Sequence, residues 1–414
     1  MLRFTPSLTQ DMHIGDLQIA LLNALVVQWR NEELLIRMND INKDVLDILD
    51  LFGIKYAQVV HQNQNFRFYS AMALDLLHKK KAFSCFCSDE WIAKKKEEAQ
   101  KLQEVYQYDD ACRNLPAELV IDNTAPFCIR IVRPEQDISM VDKQKGTLLI
   151  PHSTIDSFII MNQDKTPTTT FASAVDDMLQ DIEFVVVSQS SLEETPKEIY
   201  IRQQLGYEKV LEYLHIPEVI DGETLSIKSL LEEGFLPEAI SNYLLNLSFE
   251  ISQDIFTFQE AVTLLNFDTL RQVPQRFDKE KLRFFNREYL KKMDPKELSR
   301  YVGFADAEIG ELARVFLQDV TTTKELKAKL EPIFAPKHIS EVYMQDAQSI
   351  VACVKEAPYF DEYDAFCHYI VKHTGIDTHR VGKIISVLLT NTDDDTKITE
   401  IYKYLKNYIG ELIK

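Results

Sequence analysis

The first thirty residues constrain this chain most. Leu2 to Phe4 reads as a short strand, a loop with Pro6 and Ser7 follows, and Ile14 to Trp29 carries apolar residues at Leu17, Ala20, Leu21, Ala24, Leu25 and Val27, the spacing of a helix face. Strand, loop and helix N-terminus in that order offer backbone N–H groups to a phosphate. His13-Ile14-Gly15 stands at the turn into the helix, where an imidazole can stabilise negative charge and Gly15 lets a ligand approach the backbone.

Downstream, Leu34 to Met38 reads as a second strand and Lys43 to Phe52 as a helix ending at Gly53. From about residue 63 the pattern changes to a helix, a cysteine cluster and a charged helical run, Lys94 to Gln107, as expected of an insertion between two halves of a nucleotide fold. Ser157 to Asn162 and Phe184 to Ser188 return as apolar strands, and beyond Glu232 the chain is Leu-rich and helical. Its 414 residues suffice for roughly three domains. With 45% hydrophobic residues, 27% charged and 11 Gly, the makeup is that of a mostly helical globular protein. No apolar run approaches the ~18–20 residues that span a bilayer, and no basic-then-apolar leader opens the chain, so a cytoplasmic location and no membrane contact are expected. Six cysteines are too few for a disulfide framework, and the spacing Cys85-x-Cys87 with Cys112 suggests a metal instead. Cys128, Cys353 and Cys367 sit among apolar neighbours and read as core.

The formal charge of −19 excludes a surface that is basic throughout, but not a local phosphate-binding patch. Arg271 to Lys292 carries eight cations against Asp278, Glu280 and Glu288, a net +5 in 22 residues. Arg276, Lys281, Arg283 and Arg287 are its best phosphate candidates, with Asn286 supporting the turn.

Residues 1–17 resemble the nucleotide signature of glutamyl-tRNA synthetases, class I enzymes whose stretch reads Arg-x-Ala/Pro-Pro-Ser-Pro-Thr-Gly-x-x-His-x-Gly. Arg3, Pro6, Ser7, Thr9, His13 and Gly15 match, while Leu8 and Gln10 replace a proline and a glycine. Further likeness lies in Ala82 to Glu90, Thr166-Pro167, Phe171-Ala172 with Val175-Asp-Asp177, Thr195-Pro-Lys197, Glu233 to Pro237 and Arg276 to Asn286. The resemblance implies a Rossmann-like α/β catalytic domain split into 1–62 and 156–235, an acceptor-stem insertion at 63–155, a stem-contact domain at 236–310 and an all-α anticodon-binding domain at 311–414. It also implies ATP, magnesium, glutamate and tRNA as ligands, and zinc on Cys85, Cys87, Tyr108 and Cys112, with His78 or Asp110 as substitutes for Tyr108. A monomer is the default.

Against that pattern, the ligand-contacting positions diverge. Of the Lys-Met-Ser-Lys motif only Ser226 can be placed; Thr224 and Ile227 stand at the lysines, with Lys228 one position late. The motif Arg-x-Glu-Asp-Thr-Asp becomes Arg37 to Asn42, so Asn39 replaces the acid that holds the substrate ammonium. Thr169 replaces an aromatic hydroxyl, and Val187 replaces the arginine that pairs with the side-chain carboxylate, leaving Arg3 from that clamp. Losing two lysines, one arginine and one acid is expected to cost roughly 8 kcal/mol, about a millionfold in rate. The expectation is therefore a synthetase-like protein impaired in catalysis that retains tRNA or a translation-machinery protein as partner. The alternatives are an active glutamate–tRNA ligase with Lys228 and Lys197 as stand-in cations, or activation of a less polar acid.

Overall fold

The computed structural model describes residues 1–7, 11–38, 43–221, 225–264 and 266–413. It separates into two compact units, 1–227 with 244–277 and 228–243 with 278–414.

The first unit is built on a seven-stranded sheet. In chain order its strands are β1 (Leu2–Phe4), β2 (Leu34–Met38), β3 (Gln58–His61), then, after β4 (Ala82–Cys85) and β5 (Cys128–Ile131), β6 (Ile138–Asp142) and β7 (Gly146–Ile150), and, after β8 (Ile159–Met161), β9 (Phe184–Ser188) and β10 (Glu212–Ile216). Their spatial order is β3-β2-β1-β9-β10-β6-β7, with every pair parallel except the β6–β7 hairpin. β1 and β2 are buried at every position, as strands covered on both faces must be. The helix Ile14–Arg30 follows β1 and buries Leu17, Ala20, Leu21, Ala24 and Leu25, the face its spacing predicts.

The expected insertion, 63–155, divides its strands between two sheets. β4 and β5 form an antiparallel sheet of three with β8, whereas β6 and β7 extend the main sheet. The strand read at Ser157 to Asn162 thus exists as β8 but lies in the smaller sheet. Tyr69, Ala73, Leu76, Ile131, Ile138, Ile160, Phe171 and Val175 fuse helices and strands of both sheets into one apolar core. A two-residue parallel pair joins β11 (Val219–Ile220) to β12 (Gln275–Arg276).

The second unit is helical in its described residues. Gly234 terminates a short helix at φ +89°, and a Cβ there would lie 2.6 Å from the Lys324 nitrogen, so only glycine fits. Asn286 is fully buried beneath that turn, accepting from the Leu236 N–H at 2.7 Å and donating to the Thr321 carbonyl at 2.6 Å. Its expected role in supporting the turn is what the hydrogen bonds describe. No helix among the described residues is long and apolar enough to cross a membrane.

Candidate active site and thiol cluster

His13 is the residue before the helix Ile14–Arg30, and its Nδ1 accepts the Gly15 N–H at 3.1 Å. An accepting Nδ1 leaves the proton on Nε2, which donates to Asp221 Oδ2 at 2.8 Å. Burial works against the Asp221 charge, but the Leu225 N–H and His13 outweigh it and hold the carboxyl below its usual range. The neighbouring backbone is stitched on both sides: Ile14 N–H donates to the Leu225 carbonyl at 3.2 Å, and Ile227 N–H to the Met12 carbonyl at 2.9 Å, around a bridge between His13 and Ser226. The fold therefore brings His13, Gly15 and Ser226 together, as the two motifs require, but both imidazole nitrogens are engaged by protein. Ser7 donates to Asp16 in the same way. A cavity of about 300 Å³ beside them is lined by His13, Gly15, Asp16, Ser188 and Glu218 among others, and no lysine or arginine occurs among its described lining residues. Lys228 belongs to the other compact unit.

Arg3 is 6% exposed and its guanidinium faces inward. Nε donates to Asp177 at 2.7 Å, and Nη2 lies 3.9 Å from Glu198. Asp177 also receives Arg37 at 2.6 Å and lies 3.6 Å from Arg202. Burial penalises its charge, yet the arginines, led by Arg3, hold its pKa down at about 2. At Glu198 burial, with the Asp177 charge adding to it, outweighs Arg3, Arg202 and Arg37 and pushes the carboxyl up to about 7. Asp176, next to Asp177 and fully buried, accepts from Tyr69 at 2.8 Å, Asn65 at 2.9 Å and Gln62 at 3.0 Å. The remaining clamp residue is thus held by the protein's own acids. Thr169 opens the helix Thr169–Leu179 and is exposed, Val187 sits on β9 against an apolar cluster, and Asn39 lies outside the described residues.

Sequence reasoning assigned no role to Asp176 and Asp177. The available signal was two adjacent acids within the apolar helical run Phe171 to Met178. Asp142, His215 and Thr195 were also missed. His215 Nδ1 meets Asp142 at 2.7 Å and Nε2 meets Thr195 Oγ1 at 3.0 Å, but these residues are at most 3% exposed, so the chain of bonds ties β6, β10 and the helix Thr195–Leu205 between β9 and β10 rather than serving a substrate.

The thiols form a second constellation. The sulfurs of Cys85, Cys87 and Cys112 lie within 4.8 Å of one another. The Tyr108 hydroxyl is 3.3 Å from Cys85 and 3.4 Å from Cys87, and it accepts the Cys112 N–H at 3.2 Å. β4 ends on Cys85, and the loop that follows the helix Asp89–Lys101 carries Tyr108 and Cys112 back. Cys128, read as core, lies directly opposite Cys85 in the β4–β5 ladder, and its hydrogen bond is the first cause that lowers Cys85 to about 4. Burial pushes Cys87 up to about 12. Of the two substitutes for Tyr108, Asp110 is engaged by Arg133 at 2.9 Å, and His78 is exposed at the end of a helix outside the cluster. The donor set can hold a metal ion.

The sequence model of the family described as tRNA synthetases class I (E and Q), catalytic domain, matches residues 1–284. The chain belongs to this synthetase family. Over 432 aligned positions covering all of both chains it is 48% identical to glutamate–tRNA ligase 2 of Sulfurimonas denitrificans, and over the same span 37% identical to glutamate–tRNA ligase 1 of a Nitratiruptor species. Among solved structures, a glutamate tRNA ligase from Elizabethkingia meningosepticum in complex with its amino acid superposes with a TM-score of 0.80 at 18% identity, covering 100% of this chain and 98% of that one. This last likeness shows the shared fold: the class I catalytic layer with a helical C-terminal half.

The basic stretch of this synthetase relative falls on both units. Arg276 is exposed on β12 in the first unit; Lys281, Arg283 and Arg287 lie on the helix Lys279–Lys292 of the second. Arg283 is committed within the protein, donating to Glu325 at 2.7 Å and Thr321 at 2.6 Å. Lys281 is exposed with its amine 5.9 Å from the Phe285 ring centre, and Arg287 Nε is buried without a hydrogen-bond partner among the described residues.

Proposed function

We propose that this protein is a glutamyl-tRNA synthetase relative that recognises tRNA while its ATP-driven attachment of glutamate is strongly attenuated. One observation carries the reading: two side chains kept from the ligand-contacting motifs, His13 and Arg3, are hydrogen-bonded to the protein's own carboxylates, Asp221 and Asp177. In the family reaction the protein supplies position and charge, so a cleft whose cations are already neutralised offers little to a polyphosphate or to glutamate. Arg276, Lys281 and Arg287 are the proposed tRNA phosphate contacts, and the domain boundaries 1–62 with 156–235, 63–155, 236–310 and 311–414 are proposed to carry the family's roles. Cys85, Cys87, Cys112 and Tyr108 are proposed to hold zinc, which would crosslink the loop bearing Tyr108 to β4. A cytoplasmic location follows from this role.

The naming of full-length relatives as glutamate–tRNA ligases favours a second reading, an active ligase using ATP and magnesium. Pyrophosphate exchange with glutamate, MgATP and tRNA separates the two. The attenuated reading predicts a rate about a millionfold below an ordinary synthetase measured alongside; exchange within tenfold of that reference establishes the ligase.

A further inference from the structure

Arg130, on β5 opposite Phe83 of β4, places a guanidinium beside the thiol cluster. It is 7% exposed, lies 4.0 Å from the centre of the Tyr108 ring, and donates through Nη1 to the Ser157 carbonyl at 2.8 Å. It lines one cavity with Cys85, Cys87 and Cys128, and its Nε has no hydrogen-bond partner among the described residues. Among the described residues no carboxylate forms an ion pair with Arg130, whose Nη1 acceptor is the Ser157 carbonyl; arginine stays charged in proteins, and a buried cation is costly unless negative charge is supplied nearby. Three thiolates supply it. With a divalent cation and a neutral phenol they carry a net charge of −1, which one guanidinium cancels.

We propose that Arg130 is the counter-cation of the metal site, a positioning residue whose charge allows three thiolates and a neutral phenol to hold one divalent ion in this lobe. The proposal rests on reading Cys85, Cys87, Tyr108 and Cys112 as that site. Partners of metal ligands are typically worth about 10–100-fold in metal affinity, and this one acts through charge as well as orientation.

The test is zinc competition against a chromophoric chelator on the full chain, for wild type, Arg130→Met and Arg130→Lys, with cobalt substitution as a second readout. Wild type is expected to take up zinc and to show intense sulfur-to-cobalt charge-transfer absorption. Arg130→Met is expected to lose about 30-fold in zinc affinity and part of that absorption, while Arg130→Lys, which restores the charge, stays within about threefold of wild type. A folded Arg130→Met with wild-type affinity and spectrum overturns the inference and leaves the metal reading standing. A wild type that binds neither zinc nor cobalt removes the metal reading and the inference with it. Should Arg130→Met fail to fold, Arg130→Lys decides: a loss of 30-fold there shows that charge is not what Arg130 contributes.

Discussion

The thiol lobe and the nucleotide cleft belong to the same compact unit, yet their polar groups are organised oppositely. In the lobe, three sulfurs lie within 4.8 Å of one another with a phenol hydroxyl 3.3 and 3.4 Å from two of them, an arrangement that mutual repulsion of thiolates opposes and a cation would stabilise. In the cleft, His13 and Arg3 are hydrogen-bonded to Asp221 and Asp177. Under the proposed function, retained residue types carry different meanings in the two places: in the lobe they would keep a ligand set together, and in the cleft they pair with the protein's own acids.

The largest expected effect is in the lobe. Cys85→Ser should weaken zinc binding by more than 100-fold and expose residues 86–127 to limited proteolysis, because a structural metal contributes its binding energy to folding. Wild-type uptake by that variant would break the comparison at its stronger side. In the cleft, Asp177→Asn leaves Arg3, Arg37 and Arg202 buried with one fewer carboxylate, and should cost about 3–5 kcal/mol in urea unfolding. A loss below 1 kcal/mol would mean that Arg3 is not anchored there and is available to substrate.

Glu198 sharpens the same point. Its carboxyl, raised from 4.5 to about 7 in the folded chain, keeps its proton in the folded state over a range where the unfolded state ionises, so it lowers stability progressively as pH rises between those values. Glu198→Gln should thus stabilise the protein by about 3 kcal/mol at pH 8 and by little at pH 4.5, a difference read from melting curves at the two pH values. A smaller effect is expected on RNA. Arg276→Glu should weaken tRNA binding several-fold and reduce its salt slope by about one, whereas Arg283→Ala should act first on stability through Glu325. Equal tRNA affinity for wild type and Arg276→Glu would remove β12 from the interface.

Much of the fold was legible. β9 announces itself as an apolar run and the helix after β1 as a clean helical stripe, while β1 and β2 are apolar but for Arg3 and Arg37. β6 and β7 fall within the expected insertion 63–155, where the sequence names no strand; their pairing with each other and with β10, about 70 residues on, places them on the main sheet. In the site, residue types and spacing named His13, Ser226, Arg3 and the cysteines, but spacing carries no side-chain direction. The partners that redirect them, Asp221 and Asp177, lie more than 170 positions away in sequence. Cys128 was hidden for a related reason: its apolar neighbours on β5 describe the strand, while its opposite number across the ladder is Cys85.

The central claim is that the cleft's remaining cationic and imidazole groups are already bound by protein. Calorimetric titration of the full chain with MgATP tests it directly. No saturable heat up to millimolar MgATP is predicted for wild type, and saturable binding in the micromolar range would contradict the account.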